Sequence, residues 1–275
     1  MKWKLFYRYC ILFCCIIVII GCNNDDNNNS RVKNTGNTAS AYISPPILSP
    51  KVLAEYPHDS LTYTQGLFFY GGSLYESSGL YGQSFFGQID TNSWKYSRRF
   101  PIEAQYFAEG SIILNNKLYV LTYQEHTCFV YDPLTFKALS SFGYEGEGWG
   151  LTTDGKRLIM SNGSNTIQFR NPENFAIIST LAVHDGEKSI DRINELEWVN
   201  GDIWANIYQS DMIVIIDAKS GAVKSWVDCS ELRKKTKGKS QAEVLNGIAY
   251  NPTTKRLYLT GKYWGTIFSI EMPQP

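Results

Sequence analysis

Residues 109–122 read EGSIILNNKLYVLT, and the pattern of this segment is the basis for predicting the fold. A polar or aromatic residue, usually followed by Gly, opens an apolar strand; an Asn-Asn turn then leads into a second apolar strand. The same opening recurs at Gln65-Gly66, Trp149-Gly150, Asn194-Glu195 and Asn246-Gly247. The second residue of each pair stands at position 66, 110, 150, 195 or 247, so the intervals are 44, 40, 45 and 52 residues. Short strands repeating at about this period are typical of β-propeller blades.

Each repeat is interpreted as four short strands, separated by turn residues such as Gly71-Gly72, Asn115-Asn116, Asp154-Gly155 and Asn200-Gly201. The last repeat has only three strands, and the segment 51–56 before the first repeat can supply the fourth. That exchange would cover both free sheet edges. We therefore predict an all-β, five-bladed β-propeller of four-stranded antiparallel blades, closed by an N-terminal strand that completes the last blade.

The longest interval contains residues 230–243, which are rich in Lys and Arg. This segment predicts an exposed loop or a short helix, and a role in binding an anionic ligand is left open. Cys128 and Cys229 fall in blades that are two apart, whereas a disulfide needs Cα atoms within about 7 Å. We therefore expect two buried thiols.

The first 21 residues predict a signal peptide. Three basic residues precede the apolar run 11–20, which is short for a membrane span. The run ends in Ile19-Ile20-Gly21-Cys22, which resembles the lipobox of bacterial lipoproteins and makes Cys22 the predicted lipidation site. An ordinary secretory signal or an uncleaved anchor is the alternative.

Residues 22–50 are rich in Asn and Asp and predict a disordered tether, which leaves 51–273 as the catalytic propeller domain. The expected location is the bacterial cell envelope, with the chain held at the membrane by its lipid and facing the periplasm or the outside. The 26 basic and 26 acidic residues balance, so nucleic acid is an improbable partner. A closed propeller needs no second copy, and we expect a monomer.

In a propeller, the innermost strand of each blade starts at the face where the next strand ends. The repeats therefore place one ring of residues around the axis: Gln65, Glu109, Trp149, Asn194 and Asn246. Thirteen residues beyond the anchors, or 15 in the last blade, a second ring follows at the same face: Gly79, Tyr123, Gly163, Tyr208 and Lys262. One carboxylate, one ammonium, several amides and several aromatic rings form the mixed lining of a small-ligand pocket.

Each of these residues also has a structural interpretation. Glu109 could be a solvated residue before a strand, Lys262 its surface ion-pair partner, Gln65 and the two Asn turn formers, and the aromatic residues part of the core. The three His residues show no metal-ligand spacing, and no zinc-hydrolase, Ser-hydrolase or P-loop motif is present. The rings alone predict a pocket and not a particular reaction.

At these residues the sequence resembles the plant-type glutaminyl-peptide cyclotransferases (glutaminyl cyclases), which also occur in bacteria. The matching segments lie in order within 56–264: YPHDSLTYTQGL, YFAEGSIIL with LYVLTYQE, GEGWGLTTDG, INELEWVNGDIWANIY and LNGIAYNPTTKRLYLTGKYW. The resemblance implies a five-bladed propeller that needs no catalytic metal or other cofactor. It further implies an acyltransferase that converts the N-terminal Gln of peptides and proteins to pyroglutamate and releases ammonia.

The resemblance also assigns roles to residues. The catalytic set that it implies is Glu109, Lys262, Asn194 and Gln65. The substrate-binding set is Trp149, Tyr123, Tyr208, Phe107 and Tyr63. Four positions depart from the family pattern: Tyr63 replaces a usual Phe, Tyr123 and Tyr208 replace Trp, and Ala108 replaces the commoner Gly before Glu109. Indole N–H donors are thus lost, which affects rate and substrate preference more than reaction type.

Two other functions remain open at this point. The first is a non-catalytic, lipid-anchored propeller that binds or scaffolds other proteins. The second is a metal-dependent, lactonase-type propeller in which Glu109 and Asn194 would be metal ligands. A structural cation such as calcium deep in the central channel is compatible with all three interpretations.

Overall fold

The computed structural model describes residues 42–238 and 240–273. The predicted signal peptide, the lipidation site at Cys22 and most of the predicted tether lie outside these residues. Within the described residues, no helix has both the length and the hydropathy that crossing a membrane requires.

Two strands precede the first blade, β1 (Ile47–Leu48) and β2 (Val52–Pro57). Blade 1 contains β3 (Thr64–Tyr70), β4 (Ser73–Ser78), β5 (Phe85–Asp90) and β6 (Lys95–Pro101). Blade 2 contains β7 (Ala108–Leu114), β8 (Lys117–Thr122), β9 (Thr127–Tyr131) and β10 (Ala138–Gly143). Blade 3 contains β11 (Leu151–Thr153), β12 (Leu158–Met160), β13 (Thr166–Arg170) and β14 (Ile177–Ala182).

A small hairpin, β15 (His184–Asp185) with β16 (Lys188–Ser189), follows blade 3. Blade 4 contains β17 (Ile193–Val199), β18 (Asp202–Ile207), β19 (Met212–Asp217) and β20 (Val223–Asp228). The short helix α1 (Ser230–Lys235) leads on to blade 5, which contains β21 (Leu245–Asn251), β22 (Arg256–Gly261) and β23 (Thr266–Ile270). The sheet order in blade 5 is β2-β23-β22-β21, so the N-terminal strand completes the last blade. The predicted fold is confirmed.

The burial of the strands follows their position in the blade. The innermost strand β7 is buried along its whole length, whereas the outermost strand β10 is exposed at most positions. Inner strands face neighbouring blades on both sides and therefore carry continuous apolar runs. The turns between them behave as predicted: Asn115 and Asn116 have φ of 52° and 55°, as a two-residue hairpin turn requires.

The Gly of the repeated motif has a packing role. A Cβ atom on Gly110 would lie 2.4 Å from the backbone N of Leu151, and one on Gly150 would lie 2.2 Å from the carbonyl O of Asn194. Inner strands of successive blades therefore approach so closely at the axis that no side chain fits between them.

The described structure begins earlier than the predicted domain boundary at residue 51. Ile47 and Leu48 pair in parallel with Trp226 and Val227 on the outer edge of blade 4. These two residues fall within the predicted tether 22–50, near its end at the Pro45-Pro46 and Pro50 stretch. The segment 230–243 contains helix α1, with Leu232 buried, which fits the prediction of a loop or short helix. Cys128 and Cys229 are buried free thiols, as predicted.

A buried ion pair joins the two ends of the propeller. Nε2 of His58, just after β2, lies 3.0 Å from Oε2 of Glu76 on β4, and Nδ1 of His58 lies 2.6 Å from the carbonyl O of Trp264. Glu76 also accepts hydrogen bonds from Thr64 and Tyr96. Burial alone would lower the pKa of His58, but the charge and hydrogen bonds of Glu76 outweigh burial and raise it. Burial would raise the pKa of Glu76, but His58 and the other donors lower it.

We expect His58→Gln to destabilise the propeller, because removing one partner of a buried ion pair typically costs about 3–5 kcal/mol. The contribution of His58 is complete below its unfolded pKa and is lost as pH rises through its raised folded pKa. The contribution of Glu76 is present above its unfolded pKa and is lost as pH falls. The loss in the variant should therefore be largest between the ordinary pKa values of about 4.3 and 6.5 and smaller at alkaline pH.

Urea unfolding of both proteins at about pH 6 and about pH 9 measures this difference. Lys51→Gln is the control, since Lys51 forms an exposed ion pair with Glu271 at 2.8 Å and should matter little. A His58→Gln protein as stable as the parent at the lower pH would contradict the assignment.

Candidate functional site

One cavity of about 220 Å³ opens on the propeller axis. Its lining consists of the nine residues proposed as catalytic or substrate-binding from the sequence: Tyr63, Gln65, Phe107, Glu109, Tyr123, Trp149, Asn194, Tyr208 and Lys262. The structure thus brings the whole predicted set together, although their individual roles remain predictions. Asn246, the fifth residue of the first ring, is fully buried and is not among the lining residues.

Irregular strand starts aim the ring residues at this cavity. The pairing of β3 with β4 shifts register between Thr64 and Gly66, and that of β7 with β8 shifts between Ala108 and Ser111. Equivalent shifts occur at the start of β17 and of β21. A bulge inserts an extra residue and redirects its side chain, so Gln65 and Glu109 can turn into the cavity while the strand beyond them remains regular.

Glu109 is a nearly buried carboxyl group, 5% exposed. Its Oε1 accepts a hydrogen bond from Nε2 of Gln65 at 3.1 Å, and its Oε2 has no hydrogen-bond partner among the described residues. Burial raises the pKa of Glu109 well above the ordinary value; the positive charge of Lys262 opposes this, while Glu147 and Glu125 add to it. A carboxyl group with a raised pKa can both accept and return a proton near neutral pH.

Lys262 provides the opposite charge in the same cavity and is 3% exposed. Its Nζ lies 4.4 Å from the ring centroid of Tyr63 and 5.2 Å from that of Tyr208, distances typical of cation–π contacts. Burial lowers the pKa of Lys262, while Glu109 and Glu243 oppose that shift. Among residues 42–238 and 240–273, Nζ has no hydrogen bond and no carboxylate within 4.0 Å, so its N–H groups are available to a ligand.

The amide side chains of the site differ in the hydrogen bonds that they make within the protein. The resemblance placed Gln65 in the catalytic set, and in the structure its NH₂ group donates a hydrogen bond to Glu109. Asn194 lines the cavity, and its side chain makes no hydrogen bond to another described residue. Lys262 and Asn194 are therefore better placed than Gln65 to donate to an oxygen of a bound molecule.

Aromatic rings form the walls. Phe107 packs edge-on to Tyr63 with ring centroids 6.2 Å apart, and Trp149 packs at 80° to Tyr208 at 5.4 Å. The two Gly residues of the second ring make room for these walls. A Cβ atom on Gly79 would lie 2.2 Å from Cε1 of Phe107, and one on Gly163 would lie 2.6 Å from Cζ2 of Trp149.

Two carboxylates that the sequence interpretation did not single out hold the walls in place. Oε2 of Glu147 accepts a hydrogen bond from Nε1 of Trp149 at 2.9 Å. Glu125 accepts hydrogen bonds from the Tyr81 hydroxyl at 2.8 Å and from the backbone N–H of Phe107 at 3.3 Å. The sequence could have indicated Glu147 and Glu125 only by their position, since each lies two residues from an aromatic wall residue.

The described residues contain no cluster of three or more His, Cys, Asp or Glu side chains arranged to hold a metal ion.

Two further carboxylates of β17, Glu195 and Glu197, are buried next to the axis. They accept hydrogen bonds from the backbone N–H groups of Ile248 and Tyr250, respectively. Burial raises the pKa of Glu197 to about 8. The predicted structural cation stays a prediction.

Fold and site together define a propeller with a buried carboxyl–ammonium pair in an aromatic cavity on its axis. The family model described as glutamine cyclotransferase matches residues 28–272. The glutaminyl-peptide cyclotransferase of Arabidopsis thaliana is 35% identical over 228 residues, which cover 82% of this chain and 71% of the relative. The crystal structure of Myxococcus xanthus glutaminyl cyclase superimposes with a TM-score of 0.78 at 33% identity, covering 83% of this chain and 98% of the other.

This chain belongs to the glutamine cyclotransferase family. The comparisons confirm the predicted family and the predicted enzyme class, an acyltransferase of the glutaminyl-peptide cyclotransferase type. They do not favour the non-catalytic scaffold that the sequence left open.

We expect Gly163→Ala to lower kcat/KM for a Gln-initiated peptide, because the new methyl group must displace Trp149. Gly155→Ala is a matched control. Its φ of 84° resembles the 80° of Gly163, but a Cβ there has no neighbour within 4 Å. Both variants therefore bear similar backbone strain, about 1–2 kcal/mol, and only the first disturbs the cavity.

Ammonia release measures the change in kcat/KM, and Trp fluorescence measures the displacement of Trp149. If Gly155→Ala lost as much activity as Gly163→Ala, backbone strain and not the wall would explain the loss.

Proposed function

We propose that this chain converts the N-terminal Gln of peptides and proteins to pyroglutamate in the axial cavity, with release of ammonia. One observation carries the residue assignment: Glu109 and Lys262, both nearly buried and both with shifted pKa values, line the same aromatic cavity. Glu109, as a proton carrier, and Lys262, as a cation, can therefore act on the same N-terminal Gln of a bound substrate.

The reaction begins with the α-amine of the substrate's N-terminal Gln. This amine is largely protonated near its ordinary pKa of about 7.7–8.0 and must lose a proton before it can attack. Once that proton has passed to water, Oε2 of Glu109 accepts one of the two protons left on the neutral amine as its nitrogen forms a bond to the side-chain amide carbon. The five-membered ring closes, and the amide oxygen becomes negatively charged.

The second half of the reaction expels the side-chain nitrogen. Lys262 and Asn194 donate hydrogen bonds to the negative oxygen, which is the charge that develops between ground state and transition state. Glu109 returns its proton to the leaving NH₂ group as the C–N bond breaks, so ammonia departs neutral and the carboxylate is regenerated. Atoms and protons balance without an added reactant.

The walls contribute by geometry. The Gln side chain must fold back on its own amine, which costs conformational entropy in water. A small cavity of about 220 Å³, walled by Tyr63, Phe107, Trp149 and Tyr208, limits the conformations that the bound side chain can adopt. Binding therefore selects conformers close to the attack geometry and excludes water.

We expect Glu109→Gln to keep its fold and to lose ammonia release by about 10²–10⁴-fold, the range typical of a general acid–base group. Glu173→Gln is the control, because it replaces the same carboxylate by the same amide in an exposed ion pair with Lys117. Ammonia release and mass spectrometry of a Gln-initiated peptide are the measurements.

A fully active Glu109→Gln enzyme would remove Glu109 from the mechanism. Repeating the parent assay in a strong chelator separates the proposed chemistry from the metal-dependent alternative. Loss of activity there, restored by added metal, would favour the alternative.

We further propose that the protein is tethered to the cell envelope through a lipid on Cys22, which would hold the propeller near the membrane. The Ile19-Ile20-Gly21-Cys22 sequence after a basic and apolar segment supports this. We expect Cys22→Ser to move the protein from the membrane fraction to the soluble fraction while kcat/KM stays unchanged. A membrane fraction that retains the variant would refute lipidation at this Cys.

A further inference from the structure

Asn246 is the residue of the first ring that does not line the cavity. It stands at the position equivalent to Gln65, Glu109, Trp149 and Asn194, yet it is 0% exposed and lies outside the cavity lining. Its side chain instead reaches sideways from the start of β21 to the start of β3. Nδ2 of Asn246 lies 2.8 Å from the carbonyl O of Thr64 and 3.1 Å from Oε1 of Gln65.

These contacts fix the orientation of two amide groups. A backbone carbonyl only accepts hydrogen bonds, so the atom of Asn246 that faces Thr64 O must be the NH₂ nitrogen. The second hydrogen of that nitrogen then meets Gln65, whose facing atom must be the acceptor Oε1. Gln65 consequently turns its own NH₂ group toward Glu109, where Nε2 donates to Oε1 of the carboxyl at 3.1 Å.

We propose that Asn246 is a positioning residue that, through Gln65, makes Oε2 of Glu109 the oxygen that carries the transferred proton. Oε1 of Glu109 is occupied as an acceptor, so a proton on Glu109 resides on Oε2. That oxygen has no partner among the described residues and belongs to a side chain that lines the cavity. This inference rests on the role of Glu109 in the proposed function.

Losing the Asn246 contact should change the pKa of Glu109, and electrostatics gives the direction of that change. Donation by Gln65 to the carboxylate stabilises the charged form of Glu109. A Gln65 amide that is free to rotate can present its carbonyl oxygen instead, which favours the protonated form. The pKa of Glu109, already raised by burial, then rises further.

Other groups facing Glu109 stay the same in the variants below. The charged groups are Lys262, which lowers its pKa, and Glu147 and Glu125, which raise it. The phenols coupled to it are those of Tyr63, Tyr81, Tyr123 and Tyr144. A shift that appears only when Asn246 changes therefore reports on the Gln65 contact.

The test is a double-mutant cycle of Asn246→Ala and Gln65→Ala, with the acid limb of the kcat/KM–pH profile for a Gln-initiated peptide as the readout. We expect Asn246→Ala to move that limb upward by about one pH unit, a roughly tenfold loss of activity on the acid side. In the Gln65→Ala background, Asn246→Ala should cause no further shift. An equal shift in both backgrounds would overturn the proposal, and so would an unmoved limb together with an unchanged pKa of the Glu109 carboxyl.

Asn206→Ala is the matched control. Asn206 is also 0% exposed and also contacts the start of β21, through Oδ1 and the backbone N–H of Gly247 at 2.9 Å. It makes no contact with Gln65 among the described residues, so it should cost stability without moving the acid limb. An equal shift from this control would assign the effect to the strand and not to Gln65.

Two additions keep the test decisive. Should Asn246→Ala not fold, Asn246→Ser replaces it, because a single hydroxyl hydrogen cannot serve both Thr64 O and Gln65, and a smaller upward shift is expected. A ¹³C NMR titration of the Glu109 carboxyl, assigned by its loss in Glu109→Gln, gives the pKa without turnover. An NMR shift that the kinetic profile does not follow would count against the proposed role of Glu109 and leave the positioning intact; no NMR shift would refute the positioning itself.

Discussion

The inner strands approach one another closely at the propeller axis, and the geometry of the site follows from that approach. Gly110 and Gly150 leave no space for a side chain between successive blades. Ring residues one position earlier are therefore held close to one another, although they are tens of residues apart in sequence. A wider ring would separate Glu109 from Lys262 and leave both in water with ordinary proton affinities.

Close spacing also explains why the site can bury opposite charges. A carboxylate or an ammonium alone in such a cavity would be strongly disfavoured. Here each moderates the desolvation of the other without forming a direct ion pair within 4.0 Å, and aromatic faces receive the ammonium. Within the part of the chain that the structure describes, no hydrogen bond satisfies the cation, which leaves its N–H groups free for the substrate oxygen in the proposed reaction.

Much of this arrangement could be predicted from sequence because it follows from the number of residues between equivalent strands. The repeat period fixed which residues start inner strands, and the interval to the next strand end located Tyr123, Tyr208 and Lys262. The hydrogen-bond commitments could not be predicted in that way. Gln65 binds Glu109, and Asn246 binds Gln65, through side-chain torsions that strand periodicity does not specify. The pairing of Ile47 with blade 4 was equally invisible, because a two-residue strand between prolines has no periodicity.

The pairing of β2 with β23 has a consequence for how the molecule is made. Tyr56 lies opposite Ile267, so the first long strand has its partner near the far end of the polypeptide. As the chain folds, the backbone groups on the free edge of that strand stay unpaired until the last blade is available. The final and slowest contact is consequently the one that seals the circle, as expected for pairings of large sequence separation.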